Sequence, residues 1–201
     1  MPIYDINGQT IESFKTKFPN DNLINNIEFG AGKSYYGKKE FPYCFSTDFK
    51  VHEISHFSSL PDYDEKTLCH FLDNEECDFF TYNFTRSFSN IIICNPFGYG
   101  VRNKPERILF FNRIGNLLED NGHLHIIGRH NNSFSKKKNV DRFLNREQNE
   151  EGSEHRFELV EFNDLDENSY ELINYNFNTC IIGQVTSPTE KIKIKKIPYG
   201  N

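Results

Sequence analysis

The sequence lacks tryptophan altogether and holds one methionine and one alanine among its 201 residues. Apolar bulk comes instead from 20 phenylalanines and 10 tyrosines, an aromatic supply that excludes intrinsic disorder as a description of the whole chain. The scarcity of alanine beside abundant Asn, Lys, Ile, Phe and Tyr reads as a bias of A/T-rich coding DNA and carries no function. No Cys-x-x-Cys pair occurs, and Cys44, Cys69, Cys77, Cys94 and Cys180 are odd in number and widely spread. That pattern fits neither a disulfide framework nor a four-cysteine zinc site; it fits free thiols in a reducing compartment. Long apolar runs are missing too. Residues 1–16 contain none of the kind a signal peptide needs, and no window approaches the roughly 20 apolar residues of a membrane span. The expectation is a cytoplasmic protein without membrane contact. Positive charge is not in excess, because 29 acids against 23 Lys and Arg leave a net charge of -6. A general polyanion-coating protein is thereby disfavoured, although a local basic patch remains open.

What is present suits one domain, residues 1–201, since domains of about 100–200 residues are typical. Short apolar runs alternate with helix-like stretches, which favours an α/β layer architecture. An entry helix is predicted over residues 11–18, then strands over 23–29, 43–47 and 78–82, with a crossover helix at 64–72. The run Asn90-Ile91-Ile92-Ile93-Cys94 is apolar on both faces, as a central parallel strand should be. A helix follows over 105–119, stopped by Asp120-Asn121-Gly122, and then a strand over 123–128. Residues 140–146 predict another helix and 147–154 an acidic surface segment. Strands close the chain over 157–162, 175–185 and 191–197, the last alternating Lys and Ile with period two.

Three strand ends carry candidate chemistry, because open α/β sheets bind ligands at the carboxyl ends of their strands. Glu28-Phe29-Gly30-Ala31-Gly32 removes side chains where backbone must pass close to a bound group. Asp48 ends the next strand, where a carboxylate can accept from both hydroxyls of a ribose. The alternative of a phosphate-binding P-loop fails on spacing, since the required first glycine is Ile27. Asn95-Pro96-Phe97-Gly98-Tyr99-Gly100 follows the central strand. There the Asn95 side-chain carbonyl and a backbone carbonyl beside rigid Pro96 can both accept from a planar NH2, with Phe97 or Tyr99 stacking on the same substrate.

At these residues the chain resembles the class I S-adenosylmethionine-dependent methyltransferases, over residues 22–185. The resemblance implies a Rossmann-like three-layer α/β sandwich with a seven-stranded, mostly parallel sheet, an N-terminal helix and a C-terminal basic strand being appended. It implies S-adenosylmethionine as cofactor, with Gly30 and Gly32 at its methionine part, Asp48 at the ribose, Asn83 at the adenine and Glu28 also among the cofactor-binding residues. Asn95-Pro96-Phe97 is similar to the Asn/Asp-Pro-Pro-Tyr/Phe motif of the amino-methylating branch. Methyl transfer to a nitrogen of a nucleic acid or protein follows, with Asn95, Pro96, Phe97 and Tyr99 as catalytic candidates. The sequence departs from the pattern at Phe97, Gly98 and Ser34, and only residues 30–42 separate the first two strands.

Two rivals stand beside this reading. His52-Glu53-Ile54-Ser55-His56 matches the H-E-x-x-H zinc peptidase pattern. A zincin helix is long, however, whereas only some ten residues are available here, and Glu65, Glu75 and Glu76 compete as third ligand with nothing to single one out. No metal is therefore expected. The other rival is a non-catalytic or toxin-effector domain of the same fold, for which a cognate inhibitor protein would be a partner. Arg129-His130, Lys136-Lys137-Lys138 and the tail lysines Lys191, Lys193, Lys195 and Lys196 are candidates for tracking a phosphate backbone.

Overall fold

The computed structural model describes residues 25–30, 37, 41, 44–48, 75–76, 78–84, 86–165 and 189–198. Among them lie β1 (Asn26–Phe29), β2 (Cys44–Asp48), β3 (Glu75–Glu76), β4 (Phe88–Cys94), α1 (Lys104–Leu117), β5 (Leu118–Arg129), α2 (Lys137–Asn145), β6 (Arg156–Leu165) and β7 (Thr189–Ile197). The strands form one sheet in the order β3-β2-β1-β4-β5-β7-β6. Because β3 is a two-residue stub, six strands carry the sheet among the described residues, in place of the seven that the resemblance implies. Neighbours from β3 to β5 pair in parallel, and β7 runs antiparallel between β5 and β6. The architecture is the α/β Rossmann-like fold that the sequence implies.

Central position explains the composition of β4. Ile91, Ile92 and Ile93 are fully buried, and alternation sends Ile91 and Ile93 into the larger core while Ile92 and Cys94 face the opposite side with Cys44 and Ile127. The larger core lies under α1 and α2, where Phe111 stacks on Phe143 at 3.9 Å and tilts against Phe157 at 5.3 Å. Asn103 starts α1 by accepting from the Glu106 N–H at 3.1 Å, with Pro105 in the first turn. The same helix buries Arg107, whose guanidinium takes both oxygens of Glu147 at 2.8 and 2.6 Å and also donates to the Val101 carbonyl at 3.2 Å.

Three sequence expectations are corrected here. Residues 78–82 form a turn, because the Asp78 carboxylate accepts from the N–H groups of Phe80 and Thr81 and bends the chain before a strand can form. Asp120-Asn121-Gly122 lies inside β5 instead of ending α1. Phe88 pairs with Leu118 and Asn90 with His123, so these residues bulge out with Asn121 at φ 65°. Glu147 belongs to the core, since its Arg107 partner holds it there. The predicted helices at 11–18 and 64–72 and the strand at 175–185 lie outside the described residues.

The face of the sheet away from α1 is more polar. Asn90 donates to Asn26 at 2.8 Å and accepts from His125 Nε2 at 3.0 Å, and Phe41 packs edge-on to the His125 ring. Burial, with Lys193 and His123 nearby, pushes the His125 imidazole down to about 3. It folds neutral, so its contribution is complete above the unfolded value and is lost as pH falls from about 6.5 toward 3. His125→Gln keeps a donor for Asn90 and cannot titrate. Over that interval the wild type should lose a few kcal/mol more stability than this variant, on the order of the linkage for a shift of this size; parallel pH curves in urea unfolding would refute the assignment.

Candidate active site at the ends of strands one, two and four

β4 ends where Asn95 turns out of the sheet. Its φ of 49° lies in the left-handed region that Asn tolerates, and its N–H donates to the Ile127 carbonyl at 2.6 Å, tying the turn to β5. The exposed side chain then points its carbonyl toward the next loop. Asn132, in the loop after β5, donates through its side-chain nitrogen to Asn95 Oδ1 and to the Pro96 carbonyl, each at 2.9 Å. The two oxygens singled out in the sequence thus converge on one planar NH2.

The two loops are locked together. Val101 N–H donates to the Phe134 carbonyl at 2.8 Å. A side chain at Gly100, whose φ is 131°, would place Cβ 2.3 Å from that oxygen. Phe97 is 89% exposed and meets Phe134 edge-on at 5.9 Å. The Arg102 guanidinium lies 5.0 Å over the Phe134 ring, a cation–π contact next to the exposed Phe97.

Tyr99 takes a different place from Phe97. It stacks on Phe79 at 5.0 Å and donates its hydroxyl to the Phe29 carbonyl at 2.8 Å. Tyr99 therefore joins the end of β1 to the loop after β4, with one ring face taken by Phe79. A Cβ at Gly30, where φ is 63°, would lie 2.5 Å from the Tyr99 hydroxyl, so glycine is required both by the turn and by this contact.

The remaining candidates are placed as follows. Phe29 pairs with Thr47 in the β1–β2 register, so Gly30 follows the end of β1 next to Asp48, the last residue of β2, which still pairs with Glu76 of β3. Glu28 is fully buried and accepts from the Gly37 N–H at 2.9 Å, which anchors the crossover between β1 and β2. Asn83 is exposed on the segment after β3. Gly32 and the His52 to His56 stretch lie outside the described residues, and no group of metal-ligating side chains occurs among the described ones. No described helix is long and apolar enough to cross a membrane.

The basic residues divide along β7: Arg129, Lys137 and Lys191 lie at the loop edge, and Lys195 lies toward the other end. The register sets Lys191 opposite Ile127 and Lys195 opposite His123, so the tail lysines run the length of the sheet and of them only Lys191 approaches the loop edge. Lys195 and Lys196 lie 3.7 and 3.2 Å from Glu158 and Asp120, while Lys137 pairs with Asp141. Sequence reasoning missed Asn132, Phe134 and Arg102. Nothing in the polar run around residue 132 marks it, because its partner lies 37 residues away.

Solved structures of methyltransferases share this fold. The 16S rRNA (adenine(1408)-N(1))-methyltransferase from Catenulisporales acidiphilia superposes with TM-score 0.61 at 7% identity, over 87% of this chain and 88% of that one. The 30S ribosomal A1408 methyltransferase from an uncultured bacterium gives 0.54 at 16%, over 98% and 99%. The N-methyltransferase NodS from Bradyrhizobium japonicum WM9, in complex with S-adenosyl-L-homocysteine, gives 0.51 at 12%, over 87% and 78%. At these identities the likeness is one of fold. No protein-family model and no curated protein matches the chain.

Proposed function

We propose that the protein transfers a methyl group from S-adenosylmethionine to a nitrogen of a nucleic acid or protein acceptor. The observation that carries this reading is the pair of oxygens, Asn95 Oδ1 and the Pro96 carbonyl, bridged by a single NH2 at 2.9 Å each. Accepting from both hydrogens of an acceptor amine orients its lone pair and raises its electron density, an electrostatic aid that grows as positive charge develops on nitrogen. The cofactor supplies an electrophilic methyl on sulfur. Gly30 and Asp48 are the candidates for its place, since they stand at the carboxyl ends of the neighbouring strands β1 and β2, and β1 adjoins the strand that carries Asn95. Asn83 is the candidate for the adenine. The exposed Phe97 ring supports a flat acceptor group, which favours a nucleobase over an aliphatic amine.

Calorimetric titration with S-adenosylmethionine, followed by transfer of labelled methyl to RNA, DNA and protein, tests the reading. Asp48→Ala should weaken cofactor binding by roughly tenfold or more, the scale for losing hydrogen bonds to a charged group. Absence of wild-type binding at millimolar cofactor would leave only the fold and favour the non-catalytic alternative.

A further inference from the structure

The clamp at the end of β4 already holds an amine, and the amine is the protein's own. Both donor hydrogens of the Asn132 side chain are used on Asn95 Oδ1 and the Pro96 carbonyl. The rest of Asn132 is fixed as well. Its side-chain carbonyl accepts from the Phe134 N–H at 2.9 Å, its N–H donates to the Arg129 carbonyl at 2.8 Å, and its own carbonyl accepts from Ser135 N–H at 3.3 Å.

One nitrogen within reach of both oxygens occupies the position that any second bridging nitrogen would need. We propose that Asn132 is an internal placeholder for the acceptor: its carboxamide fills the amine seat in the free protein, and a planar exocyclic amine of a nucleobase displaces it on binding. This inference rests on the methyl-transfer reading and adds how the acceptor enters.

The exchange is physically easy. Pro96 is buried, and a buried carbonyl without a donor is costly, so the placeholder keeps the empty site satisfied. When an acceptor NH2 arrives it remakes both bonds to the clamp, while the turned-out carboxamide also gives up the bond from Phe134 N–H and takes water in exchange. Rotation about the Asn132 side chain is sufficient, and the turn from Arg129 to Ser135 keeps its backbone bonds. A flat amine fits a seat occupied by a flat amide. The base that carries it would lie against Phe97, beside the Phe134 ring and the Arg102 cation.

The side-chain amide resonances of Asn132 report the seat directly. In the wild type without ligand the two protons should exchange slowly with water, and Asn95→Gly should release the one bonded to Oδ1. Saturation with the RNA pentanucleotide ACACA and S-adenosylhomocysteine should shift them to fast-exchanging positions. Protons that exchange freely in the unliganded protein, or that stay put at saturation, would overturn the placeholder. Displacement by a glutamine tripeptide but not by ACACA would overturn the choice of a nucleobase.

Kinetics gives a second arm through Asn132→Ala, which removes the carboxamide from the seat and leaves the backbone bonds of the turn in place. With the seat vacated, kcat/KM for ACACA should rise about tenfold through KM, the scale for two competing hydrogen bonds. A fall in kcat at unchanged KM would make Asn132 a support of the clamp and defeat the proposal. Cofactor titration separates this test from the reading beneath it. A protein that binds no S-adenosylmethionine fails as a methyltransferase, whereas one that binds it while Asn132 stays docked at saturating ACACA fails only as a gated one.

Discussion

Asn95→Gly should slow methyl transfer about a hundredfold, the scale of about 3 kcal/mol associated with one preorganised electrostatic group, while cofactor affinity stays within about twofold. Glycine is the informative replacement because the backbone at residue 95 has φ 49°. An alanine there would add about 1 kcal/mol of conformational strain to the loss of the side chain and blur the comparison. Asn95→Asp retains an oxygen for the bond from Asn132 and for the acceptor, so it should keep far more activity than the glycine variant. The measurement is single-turnover transfer, with cofactor affinity from calorimetry and the unfolding midpoint taken on the same preparations. Equal losses in rate, affinity and midpoint would return Asn95 to the role of a turn residue.

The second large effect is on stability. Arg107 and Glu147 are 4% and 6% exposed and form a two-pronged ion pair beneath α1. Arg107→Ala leaves the Glu147 carboxylate buried opposite nothing, a change that typically costs about 3–5 kcal/mol. For a chain of this size that lowers the thermal midpoint by about 10 °C. The paired replacement Arg107→Met with Glu147→Leu should recover most of the loss, since the attraction within a buried pair is largely offset by the desolvation of its two charges. A single variant that melts within about 2 °C of the wild type would show that water reaches the pair.

How far the sequence foretold this molecule depends on the range of the interactions concerned. Ile91 to Ile93 announce a central strand because burial on both faces demands an unbroken apolar run, and α1 was legible from its apolar face and from Pro105 at its start. The same face contained the clue to its ion pair. Arg107 stands at helical spacing from Phe110, Phe111 and Ile114, so a charge was being carried into the core, yet the acid that meets it sits in a stretch that reads as solvated surface. Residues 78–82 misled because an apolar run outweighed one Asp at its head, and that Asp takes two backbone N–H groups for itself. At the site, Asn95 and Pro96 were visible as a local motif. Asn132 was not, for a polar residue in a polar loop has no periodicity to betray a partner on another strand end.

The contact between Gly100 and the Phe134 carbonyl bears on how the site can be engineered. Two loops from different strands share one seam with no room for a methyl group, so neither is a separable cassette. Grafting the segment after β4 from a protein of altered substrate preference onto this scaffold would bring a neighbour's bulk or carbonyl position into a gap cut for this one. The workable unit of exchange is the pair, residues 95–103 together with 130–136, transplanted as a single block with its seam intact.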